Sequence, residues 1–72
     1  MKAPTSIAIK TEYITLGQFL KFAQIVDFGG LAKGFLADHE VLVNGEPESR
    51  RGRKLYPGDQ IAVEGQSYVI AQ

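Results

Sequence analysis

Arg50, Arg51, Arg53 and Lys54 put four positive charges into five residues, with Gly52 among them. A guanidinium presents a planar fork of donors that matches phosphate oxygens, and a lysine adds a mobile point charge. Gly52 carries no side chain to hold a ligand away from the backbone. The chemistry on offer is electrostatic: neutralising closely spaced anions such as the phosphates of a nucleic acid. A solvated surface loop, or a docking loop for an acidic protein, has the same composition.

The rest of the chain sharpens that contrast. Eight basic and eight acidic residues cancel to zero. Outside the run, Lys2, Lys10, Lys21 and Lys33 face all eight acids, an excess of four negative charges. One small basic site on an acidic body favours local docking over general adhesion to polyanions. Catalytic chemistry lacks its parts. There is no cysteine, one histidine and no Gly-Lys-Ser/Thr phosphate loop. A protein-built metal site or a resident cofactor is not expected, nor is an enzyme. His39, the one histidine, has no nucleophile beside it in sequence, so a structural or surface role is expected.

Something must hold the run still. Seventy-two residues make one domain with a thin core, burying about 60% of the unfolded chain's surface. Met1 to Ser6 is a polar lead-in, and Ile7-Ala8-Ile9 alternates with Ser6 and Lys10 as a strand would. Tyr13 and Ile14 extend that strand or anchor the next turn. Thr15-Leu16-Gly17-Gln18 fits a capping box, and Leu16, Phe19, Leu20 and Ala23 recur at helical spacing. This predicts a helix from Thr15 to near Val26. Asp27 is a candidate cap for a second helix, with Gly29 and Gly30 in its first turn and Leu31, Ala32, Phe35 and Leu36 on its buried face. Gly34 predicts a close helix approach or a ligand-facing position. That helix should end around His39-Glu40.

Four short strand segments complete the order. Val41-Leu42-Val43 runs into Asn44-Gly45, a hairpin signal because both central residues of a type I′ turn need positive φ. Pro47 confines the returning arm Glu46-Pro47-Glu48 to a sheet edge or bulge. Leu55 is a core anchor. Tyr56-Pro57-Gly58-Asp59 suits a type II turn. Gln60 to Glu64 alternates, Gly65-Gln66 turns, and Ser67 to Ile70 returns. Two tight turns thus clip the basic run between strands. The longest apolar stretches are far too short to span a membrane, and no signal-peptide pattern opens the sequence. A soluble cytoplasmic protein is the expectation.

Two capped helices, then Val41-Leu42-Val43-Asn44-Gly45, then Leu55-x-Pro57-Gly58-Asp59-x-Ile61 resemble the S4 RNA-binding domain. With Leu16-x-x-Phe19-Leu20 and Ala32-Lys33, the likeness covers about residues 14–63. More narrowly, Thr15–Lys21, Gly29–Lys33 and Arg50–Leu55 are similar to the YaaA-type stand-alone S4 proteins of Gram-positive bacteria. The resemblance implies an α+β S4 fold of the αL type: two packed helices, then a small, mainly antiparallel sheet with a short N-terminal strand. It implies an RNA surface built from Gly29, Gly30, Lys33, Arg50, Arg51, Arg53 and Lys54, and a monomer that binds structured RNA, ribosomal RNA or ribosomal particles, in ribosome assembly. Many S4 domains carry Arg or Lys where this chain has Gly29. That departure shifts weight onto the basic loop.

Other readings remain beside this one. Gly29-Gly30 fits an anion-binding helix start or a plain interhelical turn. Lys33 alone fits a solvated helix residue. Phe19 and Phe35 sit at core spacing, while Phe22 and Phe28 are open to other contacts. Tyr56, next to the run, stacks a base or, more simply, packs on the sheet. A docking adaptor for an acidic protein uses the same loop. A β-grasp sulfur carrier shares Val-Asn-Gly and Leu-x-Pro-Gly-Asp, but it needs a Gly-Gly end where this sequence reads Ile70-Ala71-Gln72.

Overall fold

In the computed structural model, Thr15 opens the first helix as its sequence dictates. Its hydroxyl accepts from the Gln18 amide and the Gln18 side chain accepts from the Thr15 amide, closing the capping box. The structure describes residues 3–72; Met1 and Lys2, the start of the polar lead-in, lie outside them. Helix α1 spans Leu16–Phe22, and its Leu16, Phe19 and Leu20 are fully buried. It ends a turn before the expected Val26. Gln24 adopts φ 60°, and the Ile25 and Val26 amides both turn back to the Leu20 carbonyl. A left-handed residue cannot continue a right-handed helix. Phe22 is left 54% exposed.

The second helical segment also differs from expectation. A 3₁₀ turn, Gly29–Leu31, comes first, and helix α2 follows over Ala32–Asp38. Its cap position is Leu31, with no side-chain cap, so Asp27 does not cap it. Leu31 is half-exposed rather than buried. Ala32 and Leu36 are the buried positions, and Phe35 packs at the core's edge. No atom lies within 4 Å of a Cβ built at Gly34, so the close helix approach is not there. It falls at Gly17, whose Cβ would stand 3.6 Å from the Ala32 Cβ. His39 ends α2, its ring stacked on Phe35 at 4.2 Å and its Nε2 3.3 Å from Glu64.

Among the described residues, seven strands supply the rest of the fold: β1 (Thr5–Ala8), β2 (Ile14–Thr15), β3 (Val41–Val43), β4 (Glu46–Pro47), β5 (Lys54–Leu55), β6 (Gln60–Val63) and β7 (Gln66–Ala71). Five form one sheet in the order β1-β7-β6-β3-β4; β2 and β5 pair separately. All pairings are antiparallel except β1 with β7, which is parallel. Pro47 sits on the edge strand, where its missing N–H costs no ladder bond. Asn44 and Gly45 have φ 52° and 85°, as a type I′ hairpin requires. The later hairpin turns on Glu64 and Gly65, one residue earlier than expected.

Period-two alternation decides which strand residues enter the core. Val41, Val43, Ile61, Val63, Tyr68 and Ile70 are buried, while the intervening Leu42, Ala62 and Val69 are half-buried. They meet α1 and α2 from the other layer, with Phe19 edge-on to Tyr68 at 5.3 Å. Leu55 is fully buried in the same cluster, which fixes β5 to the body.

Candidate nucleic-acid interface

The basic run lies between two fixed points. On its N-terminal side the Glu48 amide donates to the Val41 carbonyl at 2.8 Å. On its C-terminal side, β5 pairs with β2, with Lys54 opposite Thr15 and Leu55 opposite Ile14. Between them the Arg53 amide returns to the Arg50 carbonyl, closing a turn around Arg51-Gly52.

Helix α1 grips this turn. The Leu16 amide donates to the Arg53 carbonyl at 2.8 Å, and the Gly17 amide donates to the Arg51 carbonyl at 2.9 Å. The first amides of a helix have no partner inside it. Here Thr15 satisfies one of them, and the basic loop's backbone satisfies two more. The approach is close at Gly17: a Cβ there would stand 3.5 Å from the Arg51 Cβ, in ordinary contact, with no room for a larger side chain.

Glu48 grips the loop from the other side. Its carboxylate accepts from the Ser49 and Arg50 amides, from Arg50 Nε and Nη2, and from Arg53 Nη1 at 2.8 Å. Its side chain is only 9% exposed. The Arg50 and Arg53 guanidinium bonds, then the Arg50 amide, lower its pKa from 4.5 to about 2. Reciprocally, Glu48 raises the pKa of Arg50. Arg50 nevertheless remains 76% exposed and Arg53 34% exposed. One carboxylate against four cations leaves an excess of three positive charges. Sequence reasoning assigned Glu48 to a short strand arm and missed this role. The available signal was an acid two residues before Arg50 and five before Arg53.

The turns on either side are themselves joined. The Asp59 carboxylate accepts from Asn44 Nδ2 at 3.2 Å and from the Tyr56 amide at 2.8 Å. The Asn44 side chain also accepts from the Gln60 amide. Gly58 has φ 95° and the Asp59 amide bonds the Tyr56 carbonyl, as the type II reading requires.

Of the expected site residues, Arg50, Arg51, Arg53 and Lys54 therefore share one rigid loop. Among the described residues no acid pairs with Arg51, Lys54 or Lys33. Lys33 is exposed and follows Ala32, which meets Gly17 across the helix interface on which Arg51 also lies. Gly29 and Gly30 belong to the 3₁₀ turn before α2, not to its first turn. Gly30 is exposed, with nothing within 4 Å of its would-be Cβ. The basic loop borders an open depression of about 670 Å³ lined by Arg50, Gly52, Arg53, Lys54, Tyr56 and Asp59. A larger one, about 890 Å³, runs along Ser6–Ile14 to Gln18 and Phe22. Its walls are mainly apolar, and charge does not converge there. Among the described residues no cluster of three His, Cys, Asp or Glu could hold a metal ion, and no helix is long and apolar enough to cross a membrane.

Two packed helices, the hairpin at Asn44-Gly45 and the clipped basic loop follow the pattern of one domain class. An S4 domain family model matches residues 7–71, and the chain belongs to that family. It is also 64% identical over 59 residues to the "Probable ribosome maturation protein RlbA" of Bacillus subtilis (strain 168), across 82% of this chain and 83% of the relative.

Proposed function

We propose that the chain is a non-catalytic RNA-binding module that docks on structured RNA through the Arg50–Lys54 loop. The observation that carries this is the loop's double anchorage. Two α1 amides and the Glu48 carboxylate fix the backbone and two of the guanidinium groups before any ligand arrives. Preorganised cations lose less entropy on binding than free ones. Arg51 and Lys54, which no acid among the described residues pairs with, supply phosphate contacts, and Arg50 offers its remaining guanidinium edge. Lys33, Gly29 and Gly30 complete the proposed surface on the α2 side. Double-helical RNA offers little base information in its deep groove, so shape and phosphate position are what such a loop reads.

Membership of the S4 family and likeness to a ribosome maturation protein support ribosomal RNA as the target, bound during subunit assembly in the cytoplasm. The 72 residues then act as one binding domain, as a monomer. A docking adaptor for an acidic protein is the competing use of the same charges. Titration with structured ribosomal RNA, with ribosomal particles and with an acidic peptide, each at several salt concentrations, separates the two. RNA binding that weakens steeply with salt supports the proposal. Binding to the peptide in preference to RNA overturns it. Crosslinking in cells followed by sequencing of the attached RNA identifies the target.

A further inference from the structure

The basic loop ends beside two tyrosines that neither the core nor the phosphate chemistry requires. Leu55 points into the core, so its neighbours Lys54 and Tyr56 face outward. Tyr56 is 43% exposed and Tyr13 37% exposed. Their ring centroids are 5.6 Å apart at an angle of 44°, and Lys54 Nζ sits 5.0 Å over the Tyr13 ring. Tyr68 shows what a packing tyrosine looks like in this fold: 9% exposed, with its hydroxyl donating to Gln66. Tyr56 has no such burial, and among the described residues its hydroxyl has no partner. Tyr56 lines the same depression as Arg50, Arg53 and Lys54.

From this placement we propose that Tyr56, backed by Tyr13, is a stacking platform for an unpaired nucleotide adjoining the RNA helix held by the basic loop. An exposed aromatic face beside phosphate-binding cations is the chemistry that recognises a splayed base, because every base has a π-face and every nucleotide a phosphate. The 44° tilt between the rings rules out a parallel slot between them, so the base stacks on the open face of Tyr56. Lys54, held over Tyr13, is placed for the phosphate of that nucleotide. The favoured ligand is thus a junction or helix end with a single-stranded extension, not a blunt duplex. This rests on the RNA-binding reading above and specifies its ligand.

Three RNA probes test it: a blunt duplex, the same duplex with a short single-stranded extension, and that extension made of abasic nucleotides. The wild-type chain should bind the extended duplex about 5- to 140-fold more tightly than the blunt one, the range for stacking on an aromatic ring. The abasic extension, which keeps the phosphates, should lose most of that advantage. Tyr56→Ala should abolish the preference, Tyr13→Ala should reduce it, and Tyr56→Phe should retain it. A Tyr56→Ala chain with the wild-type preference overturns the platform, as does a wild-type chain that binds all three probes alike. Failure of the wild-type chain to bind any of them instead removes the RNA-binding reading itself, and the platform with it.

Discussion

Glu48 Oε1 stands 2.8 Å from Arg53 Nη1, and the same carboxylate takes two bonds from the Arg50 guanidinium. An acid in the middle of a cationic site would ordinarily weaken it. Here it sets the site's shape, because both arginines and two loop amides converge on it. The cost is one positive charge, and the gain is a loop already in place.

Glu48 makes the loop sensitive to acid. Its folded pKa is lowered from 4.5 to about 2. A depressed carboxylate contributes stability that is fully present above its unfolded pKa and is lost as pH falls through the folded value. Wild type should therefore melt above Glu48→Gln by a constant margin above about pH 5, and the margin should close as pH falls toward about 2. Thermal melting of both chains across that range checks this. A margin independent of pH would mean that the Glu48 charge plays no part.

Gly17 sets how close α1 comes to the loop. An alanine Cβ there would meet Arg51 and Ala32 at 3.5 and 3.6 Å, ordinary contact distances. Gly17→Ala should fold as well as wild type, or better by up to about 1 kcal/mol from helix propensity. Gly17→Leu has no such space and should cost about 1–3 kcal/mol through overpacking. Chemical denaturation measures both. Equal stability of the Leu and Ala variants would place the interface elsewhere.

Thr15 holds the helix end that holds the loop. Thr15→Ala should cost about 1 kcal/mol, the usual loss for an N-cap hydroxyl. Hydrogen exchange should be slow at the Leu16 and Gly17 amides in wild type, since they bond the Arg53 and Arg51 carbonyls, and faster in the variant. Fast exchange at both amides in wild type would contradict the anchorage.

Much of this architecture was legible where chemistry is local. Thr15 and Gln18 announced the capping box, Asn44-Gly45 the first hairpin, and Pro57-Gly58 the turn after the loop. Leu55 stood out as an apolar residue between charged and turn residues. Non-local decisions were not legible. The early end of α1 depends on Gln24 entering a left-handed conformation, which nothing in Phe22-Ala23-Gln24-Ile25 signals. The parallel pairing of β1 with β7 joins the two ends of the sequence, beyond the reach of any periodicity. For the same reason the basic cluster could be read, but not its grip by the Leu16 and Gly17 amides. Gly34, interrupting a helix, reads as a close helix approach or a ligand-facing position, yet the close approach falls on Gly17, where α2 and the loop both press.

The loop's claim to be the binding surface rests on its charges meeting phosphates. The measurement that tests this most directly is the salt dependence of binding to structured RNA, for wild type and for Arg50→Ala/Arg51→Ala/Arg53→Ala. Each phosphate contact contributes slightly under one unit to the slope of log affinity against log salt. The triple variant should bind more weakly and show a slope smaller by about two to three units. An unchanged affinity and slope would contradict the assignment.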